Sequence, residues 1–242
     1  NHKRVVVDDA VSTAFLKDCL QVFHAKKVQV FVGMFADVPV SPVARANGDL
    51  FVNWLRKKIA TAGNDPAALK AAFTDHARRV VDFFDSRGLD IDGLAYDLEI
   101  FADGEGKHLG LNESDKTAIG ALFQAMADEL AKKGRYLTYF TSAFENATNG
   151  ILKSQPYELA KYPNIFVRPM SYLGNREAME KYALGTVGLH PGQFQIGQAT
   201  VKTPKIVGDK TVFVIPDTLA SIATECGTLH RRYRVGIYQF AF

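Results

Sequence analysis

With two cysteines in 242 residues, the chain has no disulfide scaffold, and it must hold itself together with an apolar core. Cys19 falls in helical phase with Phe15, Leu16, Leu20 and Phe23, and Cys226 with Leu219, Ile222 and Ala223. Both are expected to be free thiols packed inside helices. The six histidines, at 2, 24, 76, 108, 190 and 230, are dispersed, with neither a His-x-x-x-His nor a Cys-x-x-Cys spacing. No metal site or cofactor is expected. Apolar runs are short, far below the roughly 20 residues that a bilayer helix needs, so no membrane span is expected. A net charge of +3 with both signs scattered is too small a basic excess for a nucleic-acid partner. No Gly-x-Gly-x-x-Gly follows an early strand, which removes the main support for a dinucleotide site.

What the sequence does have is alternation. Arg4 to Val7, Val28 to Phe35, Leu89 to Ile100, Tyr136 to Thr141, Asn164 to Tyr172, Gln193 to Thr200, Thr211 to Ile215 and Val235 to Phe242 are apolar, β-rich runs. Amphipathic segments separate several of them. Ser12 can cap a helix, and Trp54 lies in another after the breakers Pro39, Pro42 and Gly48. Asp65-Pro66 is a strong helix start, followed by Leu69, Phe73, Ala77, Val80 and Phe84 at helical spacing and a stop at Gly88. Ser114 or Asp115 opens a helix carrying Ile119, Leu122, Phe123, Met126 and Leu130, closed at Gly134, and a last helix is expected from Asp217 to about Leu229. Strands alternating with helices argue for parallel α/β architecture. This many units in about 250 residues favours a (β/α)8 TIM barrel, with one early strand irregular, as a single domain over residues 1–242.

One stretch carries chemistry. In Asp92-Gly93-Leu94-Ala95-Tyr96-Asp97-Leu98-Glu99, strand alternation places Gly93, Ala95, Asp97 and Glu99 on one face and Leu94, Tyr96 and Leu98 on the other. If the apolar set packs under helices, two carboxylates point inward at the strand's carboxyl end, where active sites of such barrels lie. About 6.6 Å apart along the strand, they can couple so that one keeps the proton the other has lost, which suits a general acid. A structural Asp/Glu pair bound to cations across the barrel is the alternative.

The same eight residues resemble the Asp-Gly-x-Asp-x-Asp-x-Glu signature of glycoside hydrolase family 18, the chitinases and endo-β-N-acetylglucosaminidases. Three further stretches are similar in order: Val28 to Gly33, Met170-Ser171-Tyr172, and Gly236 to Phe240. The resemblance implies cleavage of β-linked N-acetylglucosamine in chitin-like oligosaccharides or N-glycans by retaining, substrate-assisted catalysis. It implies Glu99 as general acid, Asp97 as the carboxylate that orients the 2-acetamido group, and Tyr172 as a donor to the acetamido oxygen. Met170, Tyr238, Gln239 and Phe240 would line the carbohydrate site, and Asp92, off the inward face, would support it. The chain departs from the pattern at Ala95, in place of the middle aspartate, and at Leu173, where an aspartate usually follows the tyrosine. It also has no tryptophan on the last strand, its single one being Trp54. A catalytically inactive chitinase-like barrel that binds glycan or protein therefore stays open as the alternative. Asn112-Glu-Ser114 and Asn146-Ala-Thr148 are glycosylation sequons. They point to secretion, while a first residue other than Met fits a processed secreted chain and a trimmed one equally.

Overall fold

The structure is a computed structural model that describes residues 10–36, 42–63, 65–98, 113–142, 159–170, 195–199, 203–207, 210–214 and 236–240. Its centre is a parallel sheet of β1 (Phe31–Ala36), β2 (Gly93–Leu98), β3 (Tyr136–Ser142) and β4 (Ile165–Met170), in that spatial order. Helix α1 (Ala10–Ala25) precedes β1. Two helices, α2 (Pro42–Ala62) and α3 (Pro66–Ser86), lie between β1 and β2, and α4 (Glu113–Ala131) joins β2 to β3. Parallel neighbours require such crossovers, because a tight turn cannot return the chain to the same end of the sheet.

The core lies between the helices and one face of this sheet. Leu94, Tyr96, Leu137 and Ile165 from the strands pack with Leu55 of α2, with Leu69, Phe73 and Phe84 of α3, and with Ile119, Phe123 and Met126 of α4. Tyr96 and Phe123 have ring centroids 5.2 Å apart, tying β2 to α4. Helix α4 is buried on almost every side. Its Asp115 is fully buried, with Arg56 Nη2 2.8 Å away and Nε at 3.2 Å, a forked pair joining α2 to α4. Helix α3 starts as its sequence dictates: Asp65 Oδ1 accepts from the Ala67 N–H at 2.9 Å, with Pro66 in the first turn.

One device ends three of the helices and aims the chain at the next strand. After α3, Leu89 N–H donates to Phe84 O and Gly88 N–H to Asp85 O, with Gly88 at φ +63°. After α4, Arg135 N–H donates to Leu130 O and Gly134 N–H to Ala131 O, with Gly134 at φ +66°. After α1 the pattern is the same, Val28 N–H to Phe23 O and Lys27 N–H to His24 O, but the left-handed residue is Lys27, at φ 58°. A side chain disfavours that conformation. Lys27→Gly is therefore expected to stabilise the protein by about 0.5–1 kcal/mol, after allowing for glycine's greater unfolded-state freedom. At this chain size the melting temperature should rise by about 1–4 °C, measurable by calorimetry.

Several expectations need correction. Gly48 does not break a helix but lies within α2, which Pro42 begins. The strand expected at Thr211 to Ile215 is β7 (Lys210–Val214). It pairs antiparallel with a strand not foreseen, β6 (Thr203–Val207), in a two-stranded sheet of its own. Strands β5 (Gln195–Ala199) and β8 (Gly236–Phe240) pair in parallel, and β5 contacts β4. On α1 only Leu20 is buried. Phe15 is 69% and Phe23 42% exposed, and Cys19, a free thiol, is half-buried. Only one edge of the expected apolar stripe reaches the core. The strand expected at Arg4 to Val7, the helix expected from Asp217 to Leu229, and Cys226 lie outside the described residues.

Candidate active site

Strand β2 lays the signature along the middle of the sheet. Its first residue, Gly93, is dictated by its neighbours. A Cβ there would run into the backbone oxygen of Tyr136 and come within 2.7 Å of Phe31 Cε1. Phe31 thus closes the floor beneath the face that the helices leave uncovered. Above this floor the register sets cross-strand rows. Gly33, Ala95, Thr138 and Phe166 form the first, and Phe35, Asp97, Phe140 and Arg168 the second. Ser142 and Met170 belong to a third, at the carboxyl ends of their strands. The Tyr136 and Phe166 rings, with centroids 5.1 Å apart, pack on this same face. Asp97 therefore occupies a position near the carboxyl end of a central parallel strand, on the face opposite Leu94 and Tyr96.

Asp92 stands at the other end. Its Oδ2 accepts the Val30 N–H at 2.7 Å and lies 2.8 Å from His24 Nε2, while its backbone exchanges hydrogen bonds with Val30 and Tyr136. It ties the end of α1 and the start of β1 to β2 at the amino end of the sheet. The His24 partnership has no sequence signal, because 68 residues separate the two.

Of the remaining site residues, Met170 ends β4. Tyr238, Gln239 and Phe240 lie on β8, opposite Gly197, Gln198 and Ala199 of β5. No described hydrogen bond joins that pair of strands to the four-stranded sheet. Glu99, Tyr172 and Leu173 lie outside the described residues. Trp54 is held in the helical layer, its ring centroid 5.9 Å from Phe51, 5.3 Å from Phe73 and 4.8 Å from His76. Burial pushes the His76 imidazole below its ordinary range, and the nearby Arg79 and Lys58 add to this.

One polar group was missed by sequence reasoning. Thr138 is fully buried in the Ala95 row, and its Oγ1 has no hydrogen-bond partner among the described residues. Alternation within Tyr136 to Thr141 puts Thr138 on the inward face, but only the pairing of β2 with β3 shows that it stands beside Ala95. Among the described residues, ion pairs lie in the helical layer and at the amino end of the sheet. Lys70 Nζ is 2.6 Å from Asp128, linking α3 to α4. Asp85 pairs with Arg135 at 2.7 Å and with Lys133 at 2.9 Å, at the amino end of the sheet. Burial works to raise the Asp85 carboxyl, but the hydrogen bonds from these two cations outweigh it and hold the group below its ordinary range. Among the described residues no group of His, Cys, Asp or Glu side chains could hold a metal ion, and no helix is long and apolar enough to cross a membrane.

No protein-family model and no curated protein matches the sequence. Solved structures do match the fold. A chitinase from Chromobacterium violaceum superposes with a TM-score of 0.54 at 12% identity, over 93% of this chain and 78% of that one. Catalytic domain 2 of the Ostrinia furnacalis Group II chitinase, solved in complex with penta-N-acetylchitooctaose, gives 0.55 at 16% identity, over 89% of this chain and 57% of that one. A putative sporulation-specific glycosylase from Bacillus subtilis gives 0.52 at 13% identity, over 95% and 68%. The chain thus shares the α/β fold of chitinase-type proteins while spanning only part of their length.

Proposed function

We propose that this protein is a glycosidase of the family 18 type, cleaving β-linked N-acetylglucosamine in soluble chito-oligosaccharides or glycoprotein glycans. The observation that carries this is the course of the signature along β2. Leu94 and Tyr96 go under the helices and Asp97 takes the opposite face near the carboxyl end, in a fold shared with chitinases. The remaining strands would close the sheet into a (β/α)8 barrel, bringing Tyr238, Gln239 and Phe240 of β8 to the same mouth as Asp97 and Met170. Secretion follows as part of the same proposal, from the sequons at Asn112 and Asn146.

In this scheme Glu99 protonates the glycosidic oxygen. The substrate's own acetamido oxygen attacks the anomeric carbon, and the bond to the leaving sugar breaks as an oxazolinium forms. Asp97 stabilises the positive charge developing on the acetamido nitrogen, and Tyr172 holds the acetamido oxygen in line. Water, activated by Glu99 now acting as base, then opens the ring.

Since the nucleophile belongs to the substrate, N-acetylated chito-oligosaccharides should be cleaved and their de-N-acetylated counterparts left intact. Equal cleavage of both would remove the substrate-assisted scheme. Sugar rings stack on flat exposed aromatics, and Trp54 is committed to packing with Phe51, Phe73 and His76. Retention on crystalline chitin beads is therefore expected to be weak beside turnover of soluble oligomers.

Ala95 favours a second reading, a barrel that binds glycan without cleaving it, because the carboxylate that assists Asp97 in the signature is missing. Ala95→Asp separates the two. It should raise turnover or broaden its pH range in a working enzyme, and only lower stability in a retired one, by adding a buried charge.

A further inference from the structure

We propose that Thr138 is a positioning residue for Asp97, its hydroxyl supplying from the neighbouring strand the hydrogen bond that Ala95 cannot. Thr138 is fully buried with no partner for Oγ1 among the described residues, and buried hydroxyls are rarely left in that state. Its surroundings on the inward face narrow the choice of partner. In its own row stand Gly33, Ala95 and Phe166, and in the row below Phe31, Gly93 and Tyr136, whose ring packs on Phe166. In the row above stand Phe35, Asp97, Phe140 and Arg168.

Of these register positions Asp97 is the one that carries a carboxylate, one strand across from Thr138 and one row up. Such diagonal positions lie about 7–8 Å apart, within reach of side chains or of one bridging water. Ala95, opposite Thr138 and two residues before Asp97, ends at a methyl where the family 18 signature carries a carboxylate. Thr138 would thus donate to the charged form of Asp97 and hold it beneath the substrate's acetamido group. Among the described residues the other ionisable positions on this face of the four-stranded sheet are Tyr136, two rows below on β3, and Arg168 on β4 in Asp97's own row; Glu99 follows Asp97 by two residues in the sequence. Positions 31, 33 and 35 of β1 carry no ionisable group.

The inference rests on the role given to Asp97 under the proposed function, so its test needs a readout that does not depend on turnover. With ¹³C-carboxyl aspartate labelling, and Asp97→Asn to assign the resonance, Asp97 can be titrated by NMR in three proteins. Thr138→Val keeps the branched shape and removes the hydroxyl. Its Asp97 midpoint should rise by about one pH unit, since loss of a hydrogen bond to the charged form favours the neutral one. Thr138→Ser should bring it back. On chito-oligosaccharides kcat should fall about tenfold in Thr138→Val, the rate equivalent of one unit, with KM little changed and recovery in Thr138→Ser. An Asp97 midpoint that is the same in wild type and Thr138→Val overturns the inference, whatever the activity. A shifted midpoint in a protein without turnover supports the inference and sinks the glycosidase proposal instead.

Discussion

Glu99→Gln is expected to lower turnover of a chito-oligosaccharide by about 10²–10⁴-fold while leaving the melting temperature and oligosaccharide binding close to wild type. Glutamine fills the same volume and can still donate a hydrogen bond to the glycosidic oxygen, but it has no proton to transfer, and general acid catalysis contributes on that scale. The partner substitution Asp97→Asn should cost about 10²–10³-fold for a different reason. It keeps the side chain's shape and removes the charge facing the oxazolinium, a loss comparable to removing one preorganised group from a developing charge. The two effects should not add, because both groups serve one transition state. Retained turnover in Glu99→Gln, measured against a mock-purified control, would take the acid away from Glu99.

The largest expected loss of stability comes from a single methyl group. Gly93→Ala should destabilise the fold by about 3 kcal/mol, at the upper end of what overpacking costs, and lower the melting temperature by about 6–12 °C. Of the groups in the way, the Phe31 ring can turn a little. The Tyr136 backbone oxygen belongs to the strand paired with β2, and moving it would open that ladder. The signature's glycine is thus kept by the packing of β1, β2 and β3 and not by chemistry at the substrate. A Gly93→Ala protein that melts with wild type would show that this floor is not as tight as described.

What could be read in the sequence was what repeats locally. Alternation along β2 sorted Leu94 and Tyr96 from Ala95 because helices bury one face of that strand. Gly88 and Gly134 marked helix ends because a left-handed stop suits glycine, whereas Lys27, in the same geometry, carried no such signal. Gly48 misled because one glycine costs a helix only about 1 kcal/mol, which a 21-residue helix packed on α3 and α4 absorbs. The β6–β7 pair was legible in principle, since Gly208-Asp209 between two β-rich runs is a hairpin signal. The alternation of apolar runs with helices suggested one more parallel strand there instead. What stands beside Asp97 was not legible at all. Thr138 and Phe140 are its neighbours only through the register of β2 on β3, and a shift of one residue would have turned both away.

Under the proposed function Asp97 and Glu99 serve substrate-assisted cleavage with retention of configuration. The most direct measurement is the anomeric form of the first product released from a β-linked N-acetylated chito-oligosaccharide, followed by ¹H NMR before mutarotation, with Glu99→Gln as the control. The β-anomer from wild type, and none from Glu99→Gln above background, is the expected result. The α-anomer, or product that Glu99→Gln forms as fast as wild type, would contradict it.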